Sequence, residues 1–197
     1  MTESAQPQRF TDRVVALAHS VWVLPALFLL EIAETTFVPF PYEAVFIALC
    51  LAARKRIWLF TLITVLGSAV AGAIMYSLGA YFAAPVSEWL GVADTVEAYR
   101  ANFAERGASL IFLAGTTPLP SYLVNFVAGA SGYPFAEFLT LFTASRFLRF
   151  AILGGLIWLF GERITRGWAK LPRPLRRIFW VILLVAVVAW TVVSLSG

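Results

Sequence analysis

The sequence predicts an all-α integral membrane protein, a polytopic helical bundle with two opposed re-entrant helix hairpins arranged as an inverted repeat. Composition gives the class: 60% of the 197 residues are hydrophobic, only 13% are charged, and the mean hydropathy is +0.83. No ordinary soluble domain has these values. Two apolar runs are each broken by a Pro-x-Pro pair, and a long apolar run follows each break. These breaks predict the hairpins.

The first break is the stretch ETTFVPFPYE, residues 34–43, inside the apolar run 14–53. Pro39 and Pro41 each remove an amide donor and disfavour helix in the preceding residue, so two half-helices are expected. The second limb, residues 41–53, gives only about 20 Å at 1.5 Å per residue, against a membrane core of roughly 30 Å. Residues 14–53 are therefore predicted to be re-entrant, with two full crossings as the alternative.

Glu34 and Glu43 are the first candidate site residues. A carboxylate that faces lipid costs roughly 2.5 to 3.5 kcal/mol on insertion scales, so both should face a protein interior or a wet cavity. We expect Glu43 to be the titrating group near the substrate and Glu34 to be structural. The alternative is that one of them caps a half-helix or lies at headgroup level.

After the first hairpin, residues 57–84 are predicted to span the membrane. Gly67, Gly72 and Gly79 lie in this span, and small residues let another helix approach closely, so they are assigned to helix packing. Residues 85–107 turn polar with apolar residues at a helical spacing, which predicts an amphipathic helix on the outer surface.

The second half repeats this order. Residues 108–132 form an apolar run broken by Pro118 and Pro120, which stand 79 residues after the first pair, and a span at 134–160 follows. Gly129 is a further predicted packing residue. Because one crossing separates the two hairpins, they should lie on opposite sides of the membrane, and such repeats hold a substrate site at their interface. Two coincidental Pro-x-Pro turns are the alternative.

Arg146 and Arg149 are the cations of the second span. They are three residues apart and so share one helix face. Neither reaches water easily from the middle of a span, so they need acidic partners, carbonyl groups or a bound anion.

Most of the positively charged residues lie in three places along the chain. Of fifteen Lys and Arg residues, two lie at positions 9 and 13, three at 54–56 and six within 163–177. The positive-inside rule predicts that these three places are cytoplasmic in a multi-pass protein of the inner cell membrane. Residues 1–13 are predicted to be a polar tail, residues 161–177 a basic cytoplasmic connector, and residues 178–197 a C-terminal transmembrane helix.

The composition also limits the chemistry. One cysteine, Cys50, and one histidine, His19, predict packing residues and no metal site or cofactor. No phosphate loop and no spaced nucleophile and base appear, so catalytic residues and an enzyme are not expected. Attraction to anionic lipid headgroups explains the basic flanks without nucleic acid as a partner.

Four motifs in order resemble the DedA family, also called the VTT or SNARE-associated Golgi protein domain. The pattern Glu34-x4-Pro39-x-Pro41-x-Glu43 is similar to the E-N-x-x-P-P-x-P-G-E signature. The likeness continues over about residues 25–160 in three further elements, which are Y-x-L-G at Tyr76 to Gly79, F-x-x-x-x-x-P at Phe112 to Pro118, and A-G at Ala128 and Gly129.

The chain departs from the family at the second hairpin. Most members carry F-x-x-R-F-x-P-x-x-R there, and the two arginine positions are Gly115 and Ser121 in this sequence. The S-R-F-L-R-F stretch at residues 145–150 resembles the YqaA-like branch. We expect Arg146 and Arg149 to replace the missing hairpin arginines.

The resemblance implies opposed re-entrant hairpins and the movement of lipids between leaflets, including phospholipids and undecaprenyl phosphate, with protons as a proposed coupling ion. The leading hypothesis is therefore a lipid transporter, flippase or scramblase that binds a phosphate headgroup through Glu34, Glu43, Arg146 and Arg149. A proton-coupled transporter of a small anion or ion and a structural or assembly protein remain as alternatives. Homo-oligomerisation is left open.

Overall fold

The computed structural model describes residues 14–36, 41–89, 93–117 and 121–170, which form helices and no strand. A short helix, α1, covers residues 14–19. The other helices are α2 (Val23–Thr36), α3 (Tyr42–Ala52), α4 (Ile57–Trp89), α5 (Ala93–Thr116), α6 (Ser121–Ala130) and α7 (Phe135–Lys170). A 3-10 turn at Arg54–Arg56 leads into α4.

Two segments of the described chain are long and apolar enough to cross a membrane. They are Arg54–Ala83, with 30 residues, and Phe135–Arg163, with 29. Their outer surfaces are apolar as well. On α4 an exposed stripe repeats every four residues over roughly 24 Å at 1.5 Å per residue, and it consists of Trp58, Leu62, Leu66, Val70 and Ile74.

The buried sides of the same two helices are partly polar. Thr64 and Ser68 of α4 and Ser145 and Arg146 of α7 are almost fully buried, whereas Leu and Ile side chains of both helices are exposed. A soluble protein has the opposite distribution, with apolar groups inside and polar groups outside. An apolar exterior around a polar interior indicates that lipid surrounds these helices.

The long helices α4 and α7 pack antiparallel. Arg54, before α4, forms an ion pair with Glu162 near the end of α7, at 3.4 Å. Farther along, Gly72 of α4 lies against the ring of Phe142. We call the end of the bundle that holds Arg54, Arg56 and Glu162 the basic end, and the opposite end, near residue 133, the Tyr133 end.

Helices α2 and α3 form a pair that starts and finishes at the basic end. There, Nη1 of Arg56 donates to the carbonyl oxygen of Ala18, at 2.8 Å. Glu31 of α2 lies against Gly67, well inside α4. The hydroxyl of Tyr42, at the start of α3, is 2.6 Å from that of Thr64. Helix α2 therefore runs from the basic end along α4 toward its middle, and α3 runs back to the basic end.

Helices α5 and α6 repeat this path from the Tyr133 end. The ring of Tyr133 lies against Gly107 and Phe103 of α5. Near the end of α5, Gly115 lies directly against Ser145 in the middle of α7. Ser121 begins α6, 79 residues after Tyr42 begins α3, which is the offset of the proline pairs. In both pairs, the first helix thus ends and the second helix begins near the middle of the long helices.

The predicted packing glycines all lie at helix crossings. The strongest case is α4 against α6, where a Cβ atom at Gly79 would overlap the carbonyl group of Phe126 and one at Gly129 would overlap that of Tyr76. The two backbones are in direct contact, so a side chain at either position has no room.

The structure differs from the predicted boundaries near the N-terminus. One half-helix was expected between residue 14 and the first break, but the helix is interrupted at residues 20–22 and a second helix, α2, continues to Thr36. The reason is Pro25. In a continuous helix its nitrogen has no hydrogen to donate to the carbonyl group of Val21, and its ring would clash with that carbonyl group. It is tolerated in the first turn of a new helix.

Two further boundaries differ. The predicted outer helix at 85–107 is split: α4 bends at Phe82 and continues through Pro85 to Trp89, while α5 bends at Arg106. The first part of the predicted connector, residues 161–170, is the end of α7, where basic residues favour the helix C-terminus. The predicted polar tail, Pro39, Pro118, Pro120 and the predicted C-terminal transmembrane helix lie outside the described residues, whereas Pro41 precedes α3 directly.

Candidate functional site

Arg149 joins the two pairs of half-helices. Its Nη2 forms an ion pair with Oε1 of Glu43 in the first turn of α3, and its Nη1 donates to the carbonyl oxygen of Thr117, at 2.7 Å. Thr117 directly follows α5, where the last carbonyl groups have no partner within the helix and carry partial negative charge. The planar guanidinium group can bind both acceptors at once.

Arg146, one turn earlier on α7, has a different environment. Arg146 is only 4% exposed, and its Nη2 donates a hydrogen bond to the hydroxyl oxygen of Ser121, at 2.6 Å. Its guanidinium group lies 5.3 Å from the ring centre of Phe142. Its Nε makes no hydrogen bond within the described residues. The charge of Arg146 acts on Glu31 and Glu34 of α2.

Glu31 is an acid that sequence reasoning missed. It is fully buried, and its Oε1 accepts hydrogen bonds from the hydroxyls of Ser68 and Thr35, the latter at 3.1 Å. Its Oε2 has no hydrogen-bond partner among the described residues. The available signal was the spacing to Glu34, since acids three residues apart in an apolar helix share one face.

Asn125 is the second missed residue. It lies one turn after Ser121 on α6, it is fully buried, and neither atom of its amide group is hydrogen-bonded within the described chain. Buried polar groups in native proteins usually have a partner, so each exception calls for an explanation. The available signal was an asparagine in the otherwise apolar end of α6.

Together these residues form a charged junction, defined by Glu31, Glu34, Glu43, Arg146 and Arg149, in which Glu31 and Arg146 are buried and the side chain of Glu43 is 45% exposed. Glu34 is half-buried and interacts electrostatically with both arginines and with Glu43. The junction therefore brings together all four charged residues that the sequence predicted as a site. The assignment of Glu43 as the titrating acid and Glu34 as the structural one stays a prediction.

The junction contains three carboxylates and two guanidinium groups. Arg149 is paired with Glu43, so Arg146 is the cation that faces both remaining acids. An uncompensated charge is costly at such a depth, which favours a bound proton on one of the acids. No three His, Cys, Asp or Glu side chains of the described residues are arranged to hold a metal ion.

The exposed apolar stripe, the two spanning helices and the buried charges between them define a helical membrane protein. A comparison with protein families matches the VTT domain over residues 40–161, more than half of the chain. The protein belongs to this family, the DedA family, as its motifs predicted. The family is linked in general to membrane transport or lipid-related function. The YqaA-like branch stays a prediction.

Two similar proteins are known by sequence. An uncharacterized protein from Haemophilus influenzae is 26% identical over 168 residues, which cover 82% of this chain and 84% of that protein. An uncharacterized protein from Histophilus somni is 29% identical over 92 residues, 47% of each chain. No solved structure matches the chain.

Proposed function

We propose that this protein moves a phosphate-bearing lipid between the leaflets of the inner cell membrane. The observation that carries the proposal is the position of Arg146 and Arg149 in the middle of a helix of spanning length, where the ends of four half-helices meet. Arginine stays charged when buried and can bind two phosphate oxygens at once. Cationic partners at this depth suit a headgroup that must cross a low-dielectric interior.

The paths of the half-helices support re-entrant hairpins on opposite sides of the membrane. The pair α2 and α3 starts and finishes at the basic end, and the second pair does so at the Tyr133 end. With the basic end in the cytoplasm, each hairpin reaches the midplane from its own side. Movement of one repeat against the other would then expose the junction to each leaflet in turn.

A groove between α4 and α7 favours a lipid over a small anion. It is a shallow, open depression of about 480 Å³ on the outer surface, and it is lined by Val65, Leu139, Thr140, Thr143, Ala144 and Phe147. Phe147 lines the groove on the exposed face of α7, whereas Arg146, the residue before it, is buried on another face. Acyl chains could lie along this surface while the headgroup enters the junction. A small anion would need no such groove.

One observation favours a second candidate, a structural role. The ion pair between Arg149 and Glu43 fixes α3 and α5 to α7 and leaves Arg149 with two protein partners. This pair is therefore the part of the junction best explained as a helix lock. Arg146, with an unused Nε, is the part best explained as a ligand site.

The test compares Arg146→Lys, Arg149→Lys and Glu43→Gln for lipid translocation in liposomes and for thermal stability. Lysine keeps the charge but not the two-pronged hydrogen bonding. We expect Arg146→Lys to keep most of the stability and to lose at least tenfold in translocation rate. If all three variants lose stability in step with activity, the junction is a helix lock and the transport proposal is wrong.

A further inference from the structure

We infer that Glu31 and Glu34 share one bound proton and that the hydroxyl of Thr35 passes this proton between them. The three residues form a proton-binding site on α2. It is separate from Glu43, which is paired with Arg149. The inference concerns the resting protein and does not depend on the proposed lipid transport.

The first observation is that Thr35 lies between two carboxyl groups. Its Oγ1 is 3.1 Å from Oε1 of Glu31 and 3.2 Å from Oε2 of Glu34. The next residue, Thr36, makes the bond that is usual for threonine in a helix, from its hydroxyl to the carbonyl oxygen of Ile32, at 2.7 Å. The hydroxyl of Thr35 contacts the two acids instead.

The number of hydrogens at these contacts indicates one bound proton. A hydroxyl has one hydrogen, so Thr35 can donate to only one of the two carboxyl groups, and an ionised carboxylate can only accept. With both acids ionised, one contact would bring two oxygen atoms together without a hydrogen between them. Both contacts become hydrogen bonds when one acid is protonated and donates to Thr35, while Thr35 donates to the other acid.

The charges around the pair give the same number of protons. Arg146 acts electrostatically on both acids of the pair, and Arg149 and Glu43 also act on Glu34. Because Arg149 forms an ion pair with Glu43, one positive charge, that of Arg146, faces two acids. One shared proton makes this group neutral, whereas an uncompensated charge at such a depth is costly.

The proton lies mainly on Glu31. This residue is fully buried, and its Oε2 is enclosed and has no hydrogen-bond partner among the described residues. A proton on Oε1 leaves Oε2 as an uncharged carbonyl oxygen, which costs less to leave unpaired than a charged oxygen. The other polar neighbours of Glu31, Ser68 of α4 and Tyr42 of α3, are hydroxyls and add no charge. Glu34 is half-buried and can therefore carry the negative charge at a lower cost.

Transfer between the acids needs no further group. The O–H bond of protonated Glu31 breaks as its proton passes to Oγ1 of Thr35, and the hydrogen of Thr35 passes to Oε2 of Glu34. The negative charge moves from Glu34 to Glu31, and Thr35 is unchanged. Because Glu34 is half-buried and Glu31 fully buried, the pair exchanges its proton with water through Glu34.

Infrared spectroscopy of the full chain, in a detergent without carbonyl groups, detects the C=O stretching band of protonated carboxyl groups. Exposed Asp and Glu side chains are ionised at pH 7, so they do not contribute to this band. We expect the wild type to show the band of a single protonated acid at this pH. A wild-type spectrum without the band would overturn the inference, and this measurement needs no variant to fold.

Variants of the acids test whether the proton is shared. Glu31→Gln and Glu34→Gln should each remove the band, because Arg146 then neutralises the one acid that remains. Glu162→Gln, which changes the ion pair with Arg54 at the basic end, is the control and should keep the band. An undiminished band in Glu34→Gln would assign the proton to Glu31 alone and overturn the sharing.

Exchange into D₂O tests the part of Thr35, because deuteration shifts the band to lower frequency. Thr35→Val keeps the side-chain shape without the hydroxyl and should slow this exchange about tenfold or more, since a hydrogen-bonded step is lost. Thr36→Val is the matched control and should exchange at the wild-type rate, as should Thr35→Ser. Equal rates in Thr35→Val and Thr36→Val would overturn the relay. None of these measurements uses lipid movement, so their outcome is independent of the proposed transport.

Discussion

Arg149 and Arg146 share one face of α7 but have different partners. Arg149 binds Glu43 and the carbonyl oxygen of Thr117, so both of its terminal nitrogens are used. Arg146 has one short hydrogen bond, to Ser121, and lies near two acids. Both side chains therefore reach, from α7, the residues that flank the second break, Thr117 and Ser121.

The packing at Gly115 explains why arginines on α7, and not an arginine at position 115, lie beside the second break. A Cβ atom at Gly115 would overlap the side chain of Ser145, so an arginine at position 115 is incompatible with the observed packing. The close approach of α5 and α7 at this point brings Arg146 and Arg149 within reach of the second break. The expectation that these arginines replace the missing ones remains a proposal.

The first prediction concerns the pair of Arg149 and Glu43. A double-mutant cycle with Arg149→Gln and Glu43→Gln should give a coupling free energy of about 1 to 3 kcal/mol, because removal of one partner leaves a partly buried charge unpaired. Thermal or denaturant unfolding in detergent measures it. The pair of Arg54 and Glu162, which is more exposed, is the control and should couple by less than about 1 kcal/mol. An equal coupling free energy in the two pairs would contradict a stabilising role for the ion pair of Arg149 and Glu43.

The second prediction concerns Glu43 and Glu34. If Glu43 is the titrating acid, Glu43→Gln should remove the pH dependence of translocation, while Glu34→Gln should keep it. The reason is that, for a phosphodiester lipid whose headgroup does not ionise between pH 5 and 8, an acid that loads and releases a proton during transport couples the rate to pH. Translocation rates between pH 5 and 8 provide the measurement. A normal pH profile in Glu43→Gln, with loss of that profile in Glu34→Gln, would reverse the assignment.

At the scale of the elements, the crossing of α4 and α6 fixes the second half-helix pair. The α6 helix has 10 residues, and Gly79 and Gly129 allow its backbone to touch that of α4. A short helix has few side chains for packing, so close backbone contact contributes a large share of its attachment. Ser121 and Asn125 are positioned by this crossing.

The third prediction tests that crossing. Gly79→Ala and Gly129→Ala should each destabilise the protein by about 1 to 3 kcal/mol or more, because the added methyl group overlaps a backbone carbonyl that cannot rotate away. Gly155→Ala is the control: no atom lies within 4 Å of a Cβ atom there, and alanine favours helix. Thermal unfolding of the three variants gives the comparison. Equal stability of Gly79→Ala and Gly155→Ala would show that the helices can separate at no cost.

At the scale of the whole molecule, the two helix pairs meet from opposite ends of α4 and α7. The bundle is polar where they meet and apolar on its outer surface. This arrangement explains how charges can persist at mid-depth, since Glu31 and Arg146 are enclosed by helices and Arg149 and Glu43 neutralise each other in an ion pair. It also explains the need for breaks, because two continuous helices would leave no half-helix ends near the arginines.

The fourth prediction concerns topology. In a Cys50→Ala background, Lys55→Cys and Lys170→Cys should be labelled from the cytoplasm and Asp94→Cys from outside, because the basic residues remain on the cytoplasmic side. An impermeant thiol reagent applied to cells and to inverted vesicles makes the measurement. Cys50 is the single cysteine of the sequence, so in this background the introduced cysteine is the one thiol that can be labelled. Labelling of positions 55 and 94 from the same side would rule out this arrangement.

The sequence by itself determined the class of protein, the family and the order of the elements. Composition and the apolar runs depend on local residue identity, and the proline pairs act on the backbone within two residues, so both can be read directly from the sequence. The match of the VTT domain over residues 40–161 confirms the family. Four charged site residues could be chosen because an ionisable group in an apolar run is rare whatever the fold.

The partners of those charges were decided only by the tertiary structure. Glu43 and Arg149 are 106 residues apart, and no local rule connects them. Glu31 and Asn125 were missed because their burial depends on how α2, α4 and α6 cross, which is fixed by backbone contacts at glycines. Sequence periodicity gives the face of a helix, whereas the partner of that face is set by packing between helices distant in the chain.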